Sequence, residues 1–484
     1  MTATATPMPT TDPVPTAGRV TYERLSALDA SFLHVEGPTT PMHVGAVSVF
    51  EGAPFFDERG RFRLEEVQAR VAERLDHLPR FRRKVMEVPL GQGRPVWVDD
   101  PEFDITRHVE LVVLPQPGSR ELLLELCERL QMRLLDRRRP LWSLTFVGGL
   151  DDGNVAMVER VHHALVDGVS GVDAAAALLD LERDTPFREP SPWVPSPAPG
   201  PLPLLAASLW QRATEPVEVV RSARAAVRTP RRLLAEAGAV VESLFGLGGA
   251  GFAPATSLNT TTVGRRRVLL PVHRSLGGVR NAAHAAGGTV NDAVLACVAG
   301  GVRSLLEHRG ERVADRTVRV LVPVSIRADD EHLALGNRVT ALVAALPIGV
   351  ASPVGRLHAV RDEMHRLKAG HAALGTELLL DGADHLPPAL NHLILRGLHQ
   401  QPFVNLVVTN VPGPQCPLYF MGAQMLEAIP VVPLAGNLSL GFAVLSYDGS
   451  LQIALHADRD TCPDAHVVVE GMVASFDALE AAAG

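Results

Sequence analysis

The stretch from Val155 to Gly168 reads VAMVERVHHALVDG: an apolar strand that runs into His162-His163 and, four residues after the second histidine, into Asp167-Gly168. Neighbouring side chains on a strand point to opposite faces. His162 and His163 therefore do not converge on one point, which argues against a metal site built on this pair. The helical i, i+4 histidine spacing of a zinc motif is also missing. A nucleophile elbow fails as well, because in Gly168-Val169-Ser170-Gly171-Val172 the position that must be glycine is Val172.

A general base remains. Histidine's ordinary pKa of about 6.5 lets it accept a proton near neutrality. If it takes the proton of an alcohol as that oxygen attacks a thioester, no enzyme nucleophile is required. A leaving thiol with a pKa of about 8.5 departs with modest help. Positioned general-base catalysis is worth roughly 10²–10⁴-fold. Two adjacent histidines alone would be ordinary core or surface residues; the complete HHxxxDG string points to chemistry.

Upstream of the motif the pattern predicts a strand over Met42–Phe50, helices over Leu64–Leu75 and Glu121–Leu135, and a strand over Leu144–Val147. A helix is expected from Val169 to Leu181. Prolines at 186, 190, 192, 195, 197, 199, 201 and 203 then make a stiff, extended linker. Leu204–Leu247 mixes apolar residues, Trp210 and Phe245 among them, with arginines that outnumber its glutamates. It suits a crossover helix pair or an amphipathic segment on an anionic lipid surface.

Downstream, Arg265–Leu270 is expected as a strand that stops at Pro271, followed by helices over Ser275–Ala286 and Thr289–Glu307. Strands are expected over Val318–Val324 and Leu406–Thr409, with a helix over Pro353–Lys368. Leu438–Ser446 and Leu451–His456 form a hairpin around Asp448-Gly449. The mixture is α/β. It divides into a tail (1–20), an N-terminal domain (21–184), a linker and crossover segment (185–262) and a C-terminal domain (263–484).

Composition narrows the function. With 484 residues the chain is too long for one ordinary core. A net charge of −8 supplies no basic field to recruit nucleic acid. Its four cysteines, far apart and without a CxxC pair, suit a reducing compartment. Met1–Gly18, rich in Thr, Ala and Pro, has no apolar core and reads as a tail rather than a secretory signal. The uncharged run Gly397–Met425 is broken by prolines, each costing a helix roughly 3 kcal/mol, and reads as strands and turns rather than a membrane span.

Several separate motifs together resemble the bacterial wax ester synthase/diacylglycerol acyltransferase family. They are Leu25–Asp29, Pro140-Leu141-Trp142, His162–Gly168, Asn291-Asp292, Pro323–Arg327, Gly336-Asn337 and Asn410–Pro414, in that order along the chain. Thr409 stands where the family usually has serine. The resemblance implies two chloramphenicol-acetyltransferase-like domains with the active-site tunnel at their interface. It implies acyl-CoA as substrate with no further cofactor, and diacylglycerol or a long-chain alcohol as acceptor. His163 would be the general base and His162 its structural neighbour. Asp167 would hold the motif loop through an arginine, and Gly168 would permit the turn. Pro140, Leu141 and Trp142 would shape the acyl or acceptor channel, unless they are plain core. Asn291, Asp292, Thr409 and Asn410 would serve substrate binding, unless the first two merely cap a helix. Asn410–Pro414 would be a rigid turn. The resemblance further implies a cytoplasmic protein, peripheral at the inner membrane face or on lipid droplets. Two alternatives stay open: transfer to another hydroxyl or to an amine, and a non-catalytic protein of lipid surfaces.

Overall fold

The computed structural model describes residues 22–166, 177–214, 252–259, 263–325, 339–369, 401–434 and 436–483. The N-terminal half contains β1 (Glu23–Arg24), α1 (Ala27–Val35), β2 (His43–Phe50), α2 (Leu64–Arg74), β3 (Arg83–Met86), β4 (Val96–Asp99), β5 (Val109–Val113), α3 (Arg120–Gln131), β6 (Trp142–Gly148) and β7 (Val155–His162). After α4 (Pro201–Thr214) come β8 (Arg267–Ser275), α5 (Leu276–Ala285), α6 (Val290–His308), β9 (Val318–Ser325), β10 (Val339–Leu346), α7 (Pro353–Ala369) and β11 (Leu406–Pro412). The chain closes with β12 (Tyr419–Phe420), β13 (Ala423–Val431), β14 (Leu440–Tyr447), β15 (Ser450–Asp458) and α8 (Ala465–Ala483).

Each half is organised on a six-stranded sheet. The first has the order β12-β13-β2-β7-β6-β5, the second β10-β9-β11-β14-β15-β8, and β1-β4-β3 form a small third sheet. In the second half α6 is buried almost all round, against α5, α7 and α8. Its stretch from Ala293 to Val302 carries no polar side chain on any face, as the middle of such a central helix must. Glycine lets the helices meet closely: a Cβ at Gly301 would run into the Val468 carbonyl of α8.

Where the elements depart from the sequence expectations, local chemistry explains it. α3 stops at Gln131 rather than Leu135, because the buried Arg160 guanidinium takes the carbonyls of Leu130 and Arg133 at 2.7 and 3.0 Å. β8 does not stop at Pro271; it pairs with β15 through Ser275. It is an edge strand, where a missing N–H is tolerated. β11 runs on to Pro412 in a parallel ladder with β14, so Asn410 and Val411 are strand residues and the turn begins at Gly413. α4 starts inside the proline run at Pro201, since proline is well placed in a first helical turn. The helix expected over Val169–Leu181 and the segment beyond Thr214 lie largely outside the described residues.

The proline-rich stretch is fastened to the N-terminal half. The amides of Ser191 and Ser196 donate to Asp76 and Asp99 at 3.1 and 2.9 Å, and Trp193 packs edge-on against Phe103 with Arg82 over its ring.

The two halves interlock. After β11 the chain crosses to the first sheet, where β13 pairs antiparallel with β2. Phe420 enters the N-terminal core and stacks on Phe55. A shared apolar seam joins Val47, Leu123 and Cys127 to Leu269, Val431 and Ala454. Glu427 of β13 is gripped by Arg120 from one half, through two 2.7 Å bonds, and by Gln452 from the other. Tyr447 of β14 fixes the crossing segment: its hydroxyl accepts from the Leu418 amide and donates to the Met425 carbonyl, both at 2.9 Å. Tyr447→Phe leaves both groups buried without that partner. The expected loss is about 1–3 kcal/mol, read as a lower denaturation midpoint at unchanged slope.

Candidate active site

The last turn of α1 meets both histidines of the motif. Ser26 opens this helix, its Oγ accepting from the Asp29 amide at 3.0 Å, which gives the Leu25–Asp29 motif a structural reason. Phe32 and Glu36 then stand four residues apart on one face. The Phe32 ring stacks on His163 with centroids 4.0 Å apart. Glu36 ends the helix, its amide donating to the Phe32 carbonyl at 3.0 Å.

The Glu36 carboxylate is 3% exposed and lies among three cationic or imidazole groups. Oε1 is 3.4 Å from His162 Nε2 and 3.5 Å from His43 Nε2, while Oε2 accepts from Arg137 Nη2 at 2.9 Å. The Met42 amide points to the same Oε1 at 3.4 Å, and the Met42 carbonyl accepts from the His163 amide at 2.8 Å. Burial would push the Glu36 carboxyl up, but His162 and then Arg137 hold it at about 2. His43 falls to about 4, chiefly through burial and then through the Arg160 charge.

His162 is fully buried. Its amide donates to the Leu141 carbonyl at 2.9 Å, and its Nδ1 accepts from the Ala164 amide at 3.0 Å. That acceptor role puts the ring N–H on Nε2, the nitrogen that lies 3.4 Å from Glu36 Oε1. His163 differs: past the end of β7, its ring is only partly buried. On the other face of β7 from His162, Glu159 is buried and its carboxyl is pushed up to about 7 by burial alone.

The other expected site residues fall into two groups. Pro140, Leu141 and Trp142 are buried; Trp142 donates from Nε1 to the Phe81 carbonyl at 2.7 Å and stacks on His108. Leu141 and Trp142 pack in the apolar cluster of the N-terminal half, and the Leu141 carbonyl accepts from the His162 amide. In the C-terminal half Asn410 of β11 donates to Asn291 of α6 at 3.1 Å, and Thr409 Oγ1 reaches the Phe442 carbonyl at 3.4 Å. Asp292 closes a capping box with Thr289 at the start of α6, so its carboxylate belongs to the helix. Asp167 and Gly168 lie outside the described residues. Phe32, Glu36, His43 and Arg137 were not singled out from sequence; the only available signal was that the Leu25–Asp29 motif starts the helix carrying the first two.

A small, partly open cleft of about 30 Å³ lies at the seam, lined among others by His43, Gln131, Met132, Arg267, Val431 and His456. It approaches the Glu36 cluster from behind, through His43. No group of three or more potential metal ligands occurs among the described residues.

Comparison with known proteins follows these features. Residues 25–294 match the wax ester synthase/diacylglycerol acyltransferase catalytic domain, and 335–480 match the C-terminal domain of the same family. A Mycobacterium tuberculosis protein named as a diacylglycerol O-acyltransferase is 32% identical over 94% of this chain and 89% of its own. A second so named in that organism, tgs1, is 31% identical over 93% of this chain and 94% of its own. The solved wax ester synthase/diacylglycerol acyltransferase from Marinobacter aquaeolei VT8 superposes with a TM-score of 0.66 at 25% identity, covering 95% of this chain and 100% of that one. A starter condensation domain of rhizomide synthetase shares the fold, with a TM-score of 0.57 at 14% identity, over 96% of this chain and 94% of that one.

The buried histidines set an acid limit on stability. His43 and His456 are each depressed to about 4, in both cases chiefly by burial. Above the unfolded pKa of about 6.5 neither histidine is protonated in either state, so their contribution is intact. As pH falls from there towards 4, the unfolded chain takes up protons that the folded one refuses. Each site then costs about 3 kcal/mol. Denaturation midpoints should fall steeply from pH 6.5 to 4. His456→Gln, which keeps a donor for the Pro430 carbonyl, should flatten that fall.

Proposed function

Because the chain belongs to the wax ester synthase/diacylglycerol acyltransferase family, we propose that it transfers an acyl group from acyl-CoA to the hydroxyl of diacylglycerol or a long-chain alcohol, with His163 as general base. The observation that carries this reading is the contrast within the pair: His162 is sealed and tied to Glu36 and Ala164, whereas the His163 ring is stacked on Phe32 and only partly buried.

His163 removes the alcohol proton as the oxygen attacks the thioester carbonyl. The tetrahedral intermediate collapses with cleavage of the C–S bond, and the imidazolium returns its proton to the CoA thiolate. The ester and free CoA leave. Asn291 and Asn410 contribute from the C-terminal half, where two amide side chains already meet. The division into domains 21–184 and 263–484, with β12 and β13 lent back to the first, supports a substrate passage along the seam. His163→Ala should keep the wild-type melting temperature and lose roughly 10²–10⁴-fold in turnover, measured as CoA release dependent on added alcohol. A folded His163→Ala protein with wild-type turnover would overturn the mechanism.

A neutral lipid product has to leave through a membrane or droplet surface. Among the described residues no single helix is long and apolar enough to cross a membrane. Contact at the inner membrane face or a droplet is then peripheral, and α4 suits it. Leu204 and Ser208 pack inward, while Leu202, Leu209 and Trp210 are exposed beside the protruding Leu90. Pro201–Trp210 contains no charged residue, and Arg24 lies against the helix, bonded to Ser208. An apolar ridge with an exposed tryptophan and a neighbouring cation fits the interface of an anionic bilayer. Leu202→Ser combined with Trp210→Ser should reduce pelleting with anionic liposomes severalfold without changing turnover on a soluble short-chain alcohol. Equal pelleting of variant and wild type would place the contact elsewhere.

A further inference from the structure

We infer that Glu36, anchored by Arg137, is a positioning residue for the acyl transfer: it fixes the turn that presents His163 without touching substrate or passing a proton. The inference rests on His163 acting as the base, and the residues involved form one mechanical chain.

Glu36 acts on the turn by two routes. Through Oε1 it faces His162 Nε2, and the opposite nitrogen of that ring accepts the Ala164 amide. The residue after His163 is thereby pinned. Through the same oxygen it meets the Met42 amide, and the Met42 carbonyl takes the His163 amide. The residue before Ala164 is thereby pinned as well. Its own amide closes the helix on Phe32, whose ring covers one face of His163.

Proton relay is excluded by the same contacts. His162 Nδ1 is filled by a backbone N–H and its Nε2 already carries the ring proton, so the ring has no open site to take up a proton and pass it to His163. His43, the other imidazole facing Glu36, turns its Nδ1 to the Gln131 carbonyl at 3.3 Å and leads away from the motif. The carboxylate is not a stray surface charge either. Its side chain is 3% exposed, and Arg137 reaches it from a side chain that is 42% exposed, so the salt bridge is fed from the surface. A carboxylate so enclosed requires its partners, and its removal releases the ring orientation of His162 rather than any contact with acyl-CoA.

The test compares Glu36→Gln, Arg137→Gln and His163→Ala with wild type. Turnover, KM for acyl-CoA, pH dependence and ¹⁵N-histidine ring spectra are measured well below each melting temperature. For Glu36→Gln the expected result is a kcat lower by about 100-fold, the scale of a misplaced catalytic group, at unchanged KM. The acid-limb pKa of kcat/KM should stay in place, because the base itself is untouched. The His162 ring signals, assigned with a His162→Gln control, should lose the single Nε2-protonated pattern. Glu36→Asp should recover part of both the rate and the spectrum. Arg137→Gln, altered at a half-exposed side chain, should show the same changes more weakly and serves if Glu36→Gln does not fold. Wild-type kcat in folded Glu36→Gln or Arg137→Gln, or lost rate with an unaltered His162 spectrum, would overturn the inference while leaving the base intact. Activity in His163→Ala would instead remove the base on which it depends. A shifted acid limb in Glu36→Gln would make Glu36 part of the proton path and equally overturn a positioning role.

Discussion

A carboxylate buried beside two imidazoles is the constraint on which the N-terminal half depends. Glu36 cannot remain charged in its enclosure unless Arg137 and His162 stay within reach. Helix α1 must therefore end where it does, with Ser26 at one end and Glu36 at the other. Strand β2 must lie beside β7 in the register that sets His43 opposite His162. Gly45 allows that close approach, since a Cβ there would run into the Glu159 carbonyl oxygen. The geometry of one ion cluster thus propagates into helix length, strand register and residue choice.

That cluster sits on a rigid mount. Strand β13 belongs by sequence to the second half and by hydrogen bonding to the first. Phe420, Tyr447 and Glu427 fasten it in three different ways: by ring packing, by a hydroxyl shared between two backbone groups, and by a carboxylate held from both halves. On the far side of the seam, Glu128 of α3 accepts the Leu269 amide of edge strand β8 at 2.9 Å. The edge is thereby covered. A site assembled from two halves needs such ties, because near-attack geometry tolerates little relative motion.

Much of this was legible in the sequence. The strand ending in HHxxxDG, the capped helix at Thr289 and the Asp448-Gly449 hairpin all follow from periodicity and turn chemistry. Alternation also says that His162 and His163 do not face one point; which of them would be the base comes from the family resemblance. What escaped was long-range. Glu36, His43 and Arg137 carry no local signal, since nothing near them shows that residues 36, 137 and 162 will meet. Pro271 misled for a related reason: a proline ends a strand only when both edges are paired or the ladder stops, and neither is visible locally. Leu141 and Trp142 of the conspicuous Pro140-Leu141-Trp142 string are buried among the apolar side chains of the N-terminal half.

The most direct measurement of the central claim is histidine-specific carbethoxylation followed site by site by mass spectrometry, with activity recorded in parallel. Loss of turnover should track modification of His163, acyl-CoA should protect that ring, and His162 and His43 should remain unmodified until the protein unfolds. Inactivation that follows another histidine, or full activity with His163 modified, would contradict a base presented to substrate above a sealed Glu36 cluster.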